Sequence, residues 1–435
     1  MTVPLFHEDM PVGTISVEPT GPSFTYDRDW GARPGAFPLS LLMPIESVTF
    51  DAGVFLPWIM NLLPENHLAT IGQWLGVAPQ DALGLLEKMG GDVAGAISFG
   101  RPRSIDPPHY RAVEREADLE RIIEDLPKRP FLVGEEGISL SLAGAQEKLP
   151  VSLVDDAIAI PMSGAPSTHI LKPDNKNLFG TVQNEALCLV LAGHCGLRVA
   201  RATTGTAGSR SYLLVERYDR VLIERRWRRI HQEDFCQALG KPPAAKYERN
   251  RSGIRGPTLA DMFALVKRYM TAADQLRLLD AIIFNVLICN TDAHAKNYSI
   301  LFHGRRAELA PLYDLMCAAA WENVTRNLAQ SIGEKTRGDH IHARHWDRMA
   351  AACGLRAVAV RRRVAALAKK TEAAIDAACN DVRAMPAGDH VMLPIFADAI
   401  RRRCTTVVTN LRSGAEDDRD DDAPSDGERT MDQQA

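Results

Sequence analysis

None of the eight cysteines in this 435-residue sequence, at 188, 195, 236, 289, 317, 353, 379 and 404, forms a CxxC pair. Most lie in apolar helical contexts, such as Cys188 in EALCLVLAG, and read as reduced core residues of a cytosolic protein rather than a disulfide framework. The N-terminus MTVPLFHEDM lacks a basic region followed by an apolar run, so no export signal is expected. Long hydrophobic runs are absent too. The most apolar stretch, AIIFNVLIC, is short and interrupted by Asn285, which excludes a membrane-spanning helix there. Positive charge is not in excess: the formal net charge is -4, so no global basic field points to nucleic acid. That average hides an asymmetry. The stretch 413–435 carries nine acidic residues against two arginines, a net -7 that leaves the remainder near +3. This tail, EDDRDDDAPSDGER, is low in complexity and reads as disordered.

What is present fits a globular protein of several packed units, with 46% hydrophobic and 24% charged residues and no internal repeat. Residues 1–104 read as an α+β unit. VGTISVEPTGPSFTYD predicts two strands around a Pro/Gly turn, and FLPWIMNLLP, HLATIGQWLGV and QDALGLLEKMGG predict helices. Residues 105–136, opening on proline-rich RPRSIDPPHY, read as a connector. In a second unit, 137–257, Ile138, Leu140 and Leu142 alternate with serines, and Leu149, Val151 and Leu153 alternate again. That pattern predicts a β-hairpin around the loop Ala143-Gly144-Ala145-Gln146-Glu147-Lys148. STHILKPD predicts a strand, Asn184 to Gly196 a helix, and SYLLVERYDR another strand. From Thr258 to about 410 the pattern is mostly helical. Leu276, Leu279, Ile283 and Val286 mark one buried stripe, followed by the loop TDAHAKN and a short hairpin that returns through AELAPLYD.

That loop carries the most chemistry. Asp292 and Asn297 stand five residues apart after a buried helix and before a hairpin. Protein kinases use this spacing to place a proton-accepting carboxylate and a magnesium-binding carboxamide beside one phosphate. By itself the match is weak, because Asp and Asn also cap ordinary turns. Asp314 closes the hairpin's return strand, where kinases hold their second metal-binding aspartate. Together these oxygen donors suit a hard divalent cation. Lys172 ends a strand, and Glu185 on the following helix could pair with it. A surface lysine and a helix-dipole acid would explain either one alone. The order Lys172, Glu185, Asp292, Asn297, Asp314 is the kinase order of roles. The AGAQEK loop holds one glycine and matches neither GxGxxG nor GxxxxGK[ST]; its spacing alone reads as a hairpin turn. His340, His342 and His345 in HIHARH match no common zinc spacing and read as solvated. The arginine runs 361–363 and 401–403 read as solvated helix faces, with DNA phosphates as the alternative.

The segments SLAGAQEKLP, HILKPDN, NEALCLVLAGHCGL, VERYDR, HQEDFCQALG, NTDAHAKNYSI and PLYDLM, with FPLSLLMP, NLLPEN and GDVAGAISF before them, resemble the HipA family of bacterial toxin kinases over residues 8 to 400. The resemblance implies an α+β, two-lobed protein-kinase-like fold with an extra N-terminal subdomain. It also implies transfer of the ATP γ-phosphate to a protein serine with Mg2+. Asp292 then falls on the catalytic position, and Asn297 and Asp314 on the metal positions. Lys172 falls on the nucleotide-binding lysine, and Ala143 to Lys148 on the phosphate-covering loop. Glu216, Arg217 and Tyr218 match the hinge, while His294, Lys296 and Tyr313 fall among the nucleotide contacts. Ser141 matches a serine that such kinases autophosphorylate. Implied partners are a helix-turn-helix, HipB-like antitoxin on operator DNA and a translation factor such as an aminoacyl-tRNA synthetase. A corepressor module with a residual nucleotide site, or a small-molecule kinase on the same scaffold, are the other readings.

Overall fold

Alternating short strands and amphipathic helices assemble in the computed structural model, which describes residues 2–19, 21–102, 108–412 and 430. Apart from Leu411, Arg412 and Thr430, the tail expected to be disordered lies outside the described residues. The N-terminal unit is an antiparallel sheet of β1 (Thr2–His7), β2 (Met10–Glu18), β3 (Gly21–Tyr26), β4 (Thr49–Asp51) and β5 (Ile97–Phe99), ordered β4-β3-β2-β1-β5. The strands predicted around the Pro/Gly turn are β2 and β3. The three expected helices are α1 (Ala52–Met60), α2 (Leu68–Leu75) and α3 (Ala82–Met89). Asp81 starts α3 by accepting a hydrogen bond from Gly84 N at 2.9 Å, a cap that satisfies a donor left without a partner in the first turn.

The second unit is a six-stranded sheet. It contains β6 (His109–Ala112), β7 (Leu149–Val154), β8 (Ala157–Met162), β9 (His169–Pro173), β10 (Ala202–Ala207) and β11 (Arg210–Glu216), ordered β10-β11-β9-β7-β8-β6. The stretch expected to be a connector is therefore built into this lobe: β6 forms its edge, and α4 (Glu116–Asp125) packs beside β10. Helix α5 (Thr181–His194) packs on β10 and β11.

The hairpin expected over 138–153 does not form. Strand β7 pairs with β8 and β9, while 138–142 runs beside Asp92 of the N-terminal unit. Asp92 N donates to Ser139 O at 2.9 Å, and Ser141 N to Asp92 O at 3.0 Å. Alternation correctly marks Leu140, Leu142, Leu149 and Val151 as buried. It carries no information about which strand is the partner.

The remaining chain holds the ribbon β12 (Arg220–Ile223) and β13 (Arg226–Arg229). It also holds a three-stranded sheet of β14 (His231–Asp234), β15 (Ser299–His303) and β16 (Arg306–Leu309), with the short helix α6 (Phe235–Ala238). Helices α7 (Leu259–Tyr269) and α8 (Ala272–Leu287), the ribbon β17 (Asn327–Ile332) and β18 (Lys335–Arg337), and helices α9 (Ala343–Ala352), α10 (Ala357–Arg383) and α11 (Leu393–Arg412) complete the helical lobe.

Helix α8 starts with a reciprocal capping box between Thr271 and Asp274. Its first two turns stand largely clear of the core, so Leu276 is 47% exposed, contrary to the expected stripe; from Ala281 onward every position is buried. His345, expected in solvent, is buried and accepts from His342 N at 2.9 Å at the start of α9. All eight cysteines are free, and all but Cys353 are buried. Among the described residues no helix is long and apolar enough to cross a membrane.

A buried ionic cluster ties the N-terminal unit to the sheet lobe. Asp92 accepts from Arg220 at 2.9 Å, Arg229 at 3.0 Å and Ser167 N at 3.0 Å, and Arg217 also reaches Asp219 at 2.7 Å. Burial alone would raise the Asp92 carboxyl, but the guanidinium groups of Arg220, Arg229 and Arg217 outweigh it and hold it well below the usual range. Replacing Asp92 by Asn leaves Arg217 and Arg220 to share Asp219 and removes the carboxylate that Arg229 pairs with. We expect a loss of about 3–5 kcal/mol, read as a lower urea midpoint. The carboxylate's contribution is fully present above the ordinary Asp pKa of about 4 and declines as pH falls toward the depressed folded value. The gap between variant and parent should therefore narrow in acid.

Candidate active site

The loop 290–297 is fixed from beneath by side-chain amides. Asn290 Nδ2 donates to Asn285 Oδ1 at 2.9 Å, and Asn285 Nδ2 to the Tyr298 hydroxyl at 2.9 Å. The asparagine that interrupts the apolar helix thus anchors the loop after it. Asn290 Oδ1 accepts from Asp292 N at 3.1 Å, while Asp292 O accepts from His294 N at 2.7 Å and from Asn297 Nδ2 at 2.8 Å. With its amide nitrogen donated to the loop, Asn297 offers its carboxamide oxygen as the group suited to a cation. Asp314 sits in the left-handed region at φ 50°, a conformation Asp tolerates better than bulkier residues.

Across the cleft, β9 presents Lys172 and α5 presents Glu185. Lys172 Nζ donates to Glu185 at 2.7 Å and also pairs with Asp314. The expected ion pair is therefore formed, and Lys172 additionally links the two lobes. Burial penalises the Lys172 ammonium, yet Asp314 and Glu185 outweigh that and raise its pKa. Burial raises the Glu185 carboxyl despite Lys172. Asp314 is lowered: burial opposes its charge, but Lys172 and Lys148 prevail. Its side chain remains 31% exposed, whereas Glu185 is 2% exposed.

These elements surround a cavity that opens to solvent. Its lining includes Lys172, His294, Lys296, Asn297, Tyr313 and Asp314, with Glu216, Arg217 and Tyr218 at the hinge and Ala143, Gly144 and Lys148 on the loop. Ala145, Gln146, Glu147, Glu185 and Asp292, all expected at the site, are not among its lining residues. Ala145, Gln146 and Glu147 line a smaller neighbouring pocket, because the loop is held against the N-terminal unit: Glu65 N donates to Gly144 O at 3.2 Å, and Asn66 Nδ2 to Ala145 O at 3.0 Å. Gly144 needs its glycine, since φ is +107° and a Cβ would meet Lys148 Nζ at 2.4 Å. Ser141 is fully buried and donates to Leu62 O at 2.9 Å. The Arg217 side chain turns into the Asp92 cluster, and the Tyr313 hydroxyl donates to Lys296 O at 2.6 Å.

Sequence reasoning missed several cavity residues. Asn61, Gln232, Asp234, Gln237 and Ser299 also line it, and Asp234 with Gln237 forms the capping box of α6, a D-x-x-Q signal visible in HQEDFCQALG. Burial pushes the Asp234 carboxyl up to about 6, with Lys296 opposing. Glu65 pairs with Lys296 at 2.9 Å and with Lys246, and Tyr247 donates its hydroxyl to Asp292. Nothing in the local pattern marks Glu65, Lys246 or Tyr247 as lying near this loop. The arginine runs find acids within the chain: Arg361 pairs with Asp347, Arg363 with Asp280, and Arg401 with Asp376 at 2.9 Å. Among the described residues no group of three or more His, Cys, Asp or Glu side chains could hold a metal ion.

The model of the HipA-like C-terminal domain matches residues 140–376, and that of the HipA N-terminal domain matches 4–100. The chain belongs to the HipA family. A relative from Sinorhizobium fredii named "Putative kinase Y4mE" is 39% identical over 399 residues, covering 89% of this chain and 94% of that protein. The "Serine/threonine-protein kinase toxin HipA" of Shewanella oneidensis is 32% identical over 359 residues, covering 79% and 81%. A solved complex of HipA, HipB and operator DNA from Shewanella oneidensis MR-1 matches with a TM-score of 0.81 at 27% identity, covering 94% of this chain and 97% of that one. This HipA-family chain is thus a kinase with a two-lobed, protein-kinase-like fold and an added N-terminal subdomain.

If Lys172 contacts the nucleotide phosphates, Lys172→Ala should weaken the thermal stabilisation given by Mg-ATP through binding linkage. Its cost to the unliganded protein should be partial, because the buried Glu185 can take up a proton. A Mg-ATP shift equal to the parent's would remove Lys172 from the nucleotide site.

Proposed function

We propose that this protein is a serine/threonine protein kinase toxin that moves the ATP γ-phosphoryl group to a protein serine. The observation that carries the reading is the convergence of Lys172, Asn297 and Asp314 on one cavity, with Glu185 paired to Lys172 and the Asp292 carbonyl bonded to Asn297. Asp292 accepts the proton of the attacking serine hydroxyl as its oxygen bonds to the γ-phosphorus and the bond to ADP breaks. Lys172, held by Glu185, orients the nucleotide phosphates, and the hinge 216–218 holds the base end through its backbone. Asn297 and Asp314 are the residues that would hold Mg2+, which would supply positive charge to offset that of the phosphates. The pairing of Asp314 with Lys172 keeps that carboxylate ionised for the role.

A HipB-like helix-turn-helix antitoxin is the proposed partner, with operator DNA reached through it; the Shewanella complex covers nearly the whole chain. The proposed substrate is a translation factor such as an aminoacyl-tRNA synthetase. Ser141 is proposed as an inhibitory autophosphorylation site. Its burial against Leu62 requires the segment leading into the 143–148 loop to leave the N-terminal unit before the hydroxyl can react. A phosphate there adds about -1.5 to -2 charges where the loop must approach the nucleotide phosphates.

Incubation with labelled ATP and candidate proteins tests the transfer. Asp292→Asn should retain Mg-ATP binding and lose roughly 10²–10⁴-fold in rate. Asp314→Asn should weaken the magnesium dependence as well. Mass spectrometry should find phosphate on Ser141 in the parent and none in Asp292→Asn. Near-normal turnover of Asp292→Asn would refute the base assignment. Failure of the parent to label any protein while still binding an antitoxin would favour the corepressor reading.

A further inference from the structure

The geometry points to Tyr247 as a positioning residue that sets the orientation of the Asp292 carboxylate; this rests on Asp292 being the base in the proposed transfer. The backbone of Asp292 is already fixed inside its loop by Asn290, His294 and Asn297. Those bonds hold the Cα and leave the side-chain torsions to be set separately. The Tyr247 hydroxyl reaches in from a distant segment and donates to Asp292 Oδ1. A donor fixed on one carboxylate oxygen determines the plane of the group and directs the lone pairs of the other oxygen, which must meet the substrate hydroxyl. Correct orientation of a proton acceptor matters because a misplacement of about 1 Å can cost two orders of magnitude in rate.

The hydroxyl can do this because its own segment is tied down on all sides. Lys246, the preceding residue, pairs with Glu65 of the N-terminal unit, and its carbonyl accepts from Ala295 N of the catalytic loop at 3.2 Å. Asn250 Nδ2 donates to Tyr247 O at 3.0 Å, and Glu248 N donates to Ala329 O at 3.1 Å. The Tyr247 ring meets the His294 ring edge-on, with centroids 5.1 Å apart and planes at 90°. Gly256 lets the chain pass behind, since a Cβ there would meet Tyr247 O at 2.0 Å. The tyrosine is thus a strut between the Glu65–Lys246 anchor and the base, and the N-terminal unit takes part in arranging the catalytic loop.

Kinetics of the full-length protein with Tyr247→Phe, Asp292→Asn and the double variant test this. Phe keeps the ring and removes only the hydroxyl. The expected result is a fall in kcat of roughly 10- to 100-fold, the range for losing a hydrogen bond to a charged group, with the KM for ATP and the Mg-ATP thermal shift unchanged. If Tyr247 acts through Asp292, adding Tyr247→Phe to Asp292→Asn should lower the residual rate less than about twofold, because residues acting as one unit are not additive. A parental kcat in Tyr247→Phe overturns the proposal, as does the same fold loss in both backgrounds, or a raised KM at constant kcat. Those outcomes, with Asp292→Asn inactive, leave the base assignment standing. An active Asp292→Asn overturns both.

Discussion

Asp92 is the carboxylate on which the arrangement of the two front units depends. Three guanidinium groups converge on it out of water, and buried charges of one sign persist only where acids neutralise them. Arg217 lies within the 216–218 segment, Arg220 starts the ribbon after it, and Arg229 ends that ribbon. The same residue's backbone brackets the segment that enters the 143–148 loop. One position thus fixes how the N-terminal subdomain meets both the hinge and the loop. A hydrophobic contact of equal area would attract the two units without specifying their register. Charge pairing with directed hydrogen bonds does specify it.

That docking has a consequence for the cleft. The turn 61–66 of the N-terminal unit touches the loop above the cavity through Gly144 and Ala145, and the catalytic side through Lys246 and Lys296. It therefore bridges the lobes on one side of the cavity, while Lys172 bridges them within it. A kinase cleft must open and close, and each of these bridges involves at least one ion pair whose partner could be exchanged for a phosphate oxygen. Lys172, Lys148 and Lys296 line the space. The carboxylate partners of Lys172 and Lys296 keep their positive charge compensated in a buried setting.

The 290–297 loop shows how polar residues are spent inside an apolar helix end. Asn285 costs α8 an apolar position, and Asn290 follows where the helix stops. Together they satisfy the backbone that the loop leaves behind, so Asp292 and Asn297 rest on a rigid base rather than on a mobile turn. Asp292 can then be held at a defined angle from a second, independently anchored segment. Precision at such a site comes from supports on more than one element, because a single loop retains rotational freedom at its side chains.

Local pattern determined a good deal. The alternation and capping signals marked β2, β3, β9, β11 and the helices α1, α2, α3, α5 and α8, and the motif order placed Lys172, Glu185, Asp292, Asn297 and Asp314 in kinase roles. These features are legible because periodicity, caps and short-range spacing are written within a few residues of one another. Tertiary structure decided the rest. The alternation at 138–142 showed which side chains are buried, but only docking chose Asp92's segment over β7 as its neighbour. Leu276 has the helical period of a core residue yet faces solvent, while Leu278 and Leu279 just after it are buried. Ala145, Gln146 and Glu147 sit in the loop that motif matching assigns to phosphate, yet bonds from Glu65 and Asn66 turn them aside. Tyr247 and Glu65 lie 45 and 227 residues from Asp292 in sequence. Their approach to it depends on how separate elements pack, and no local spacing encodes a contact made across that much chain.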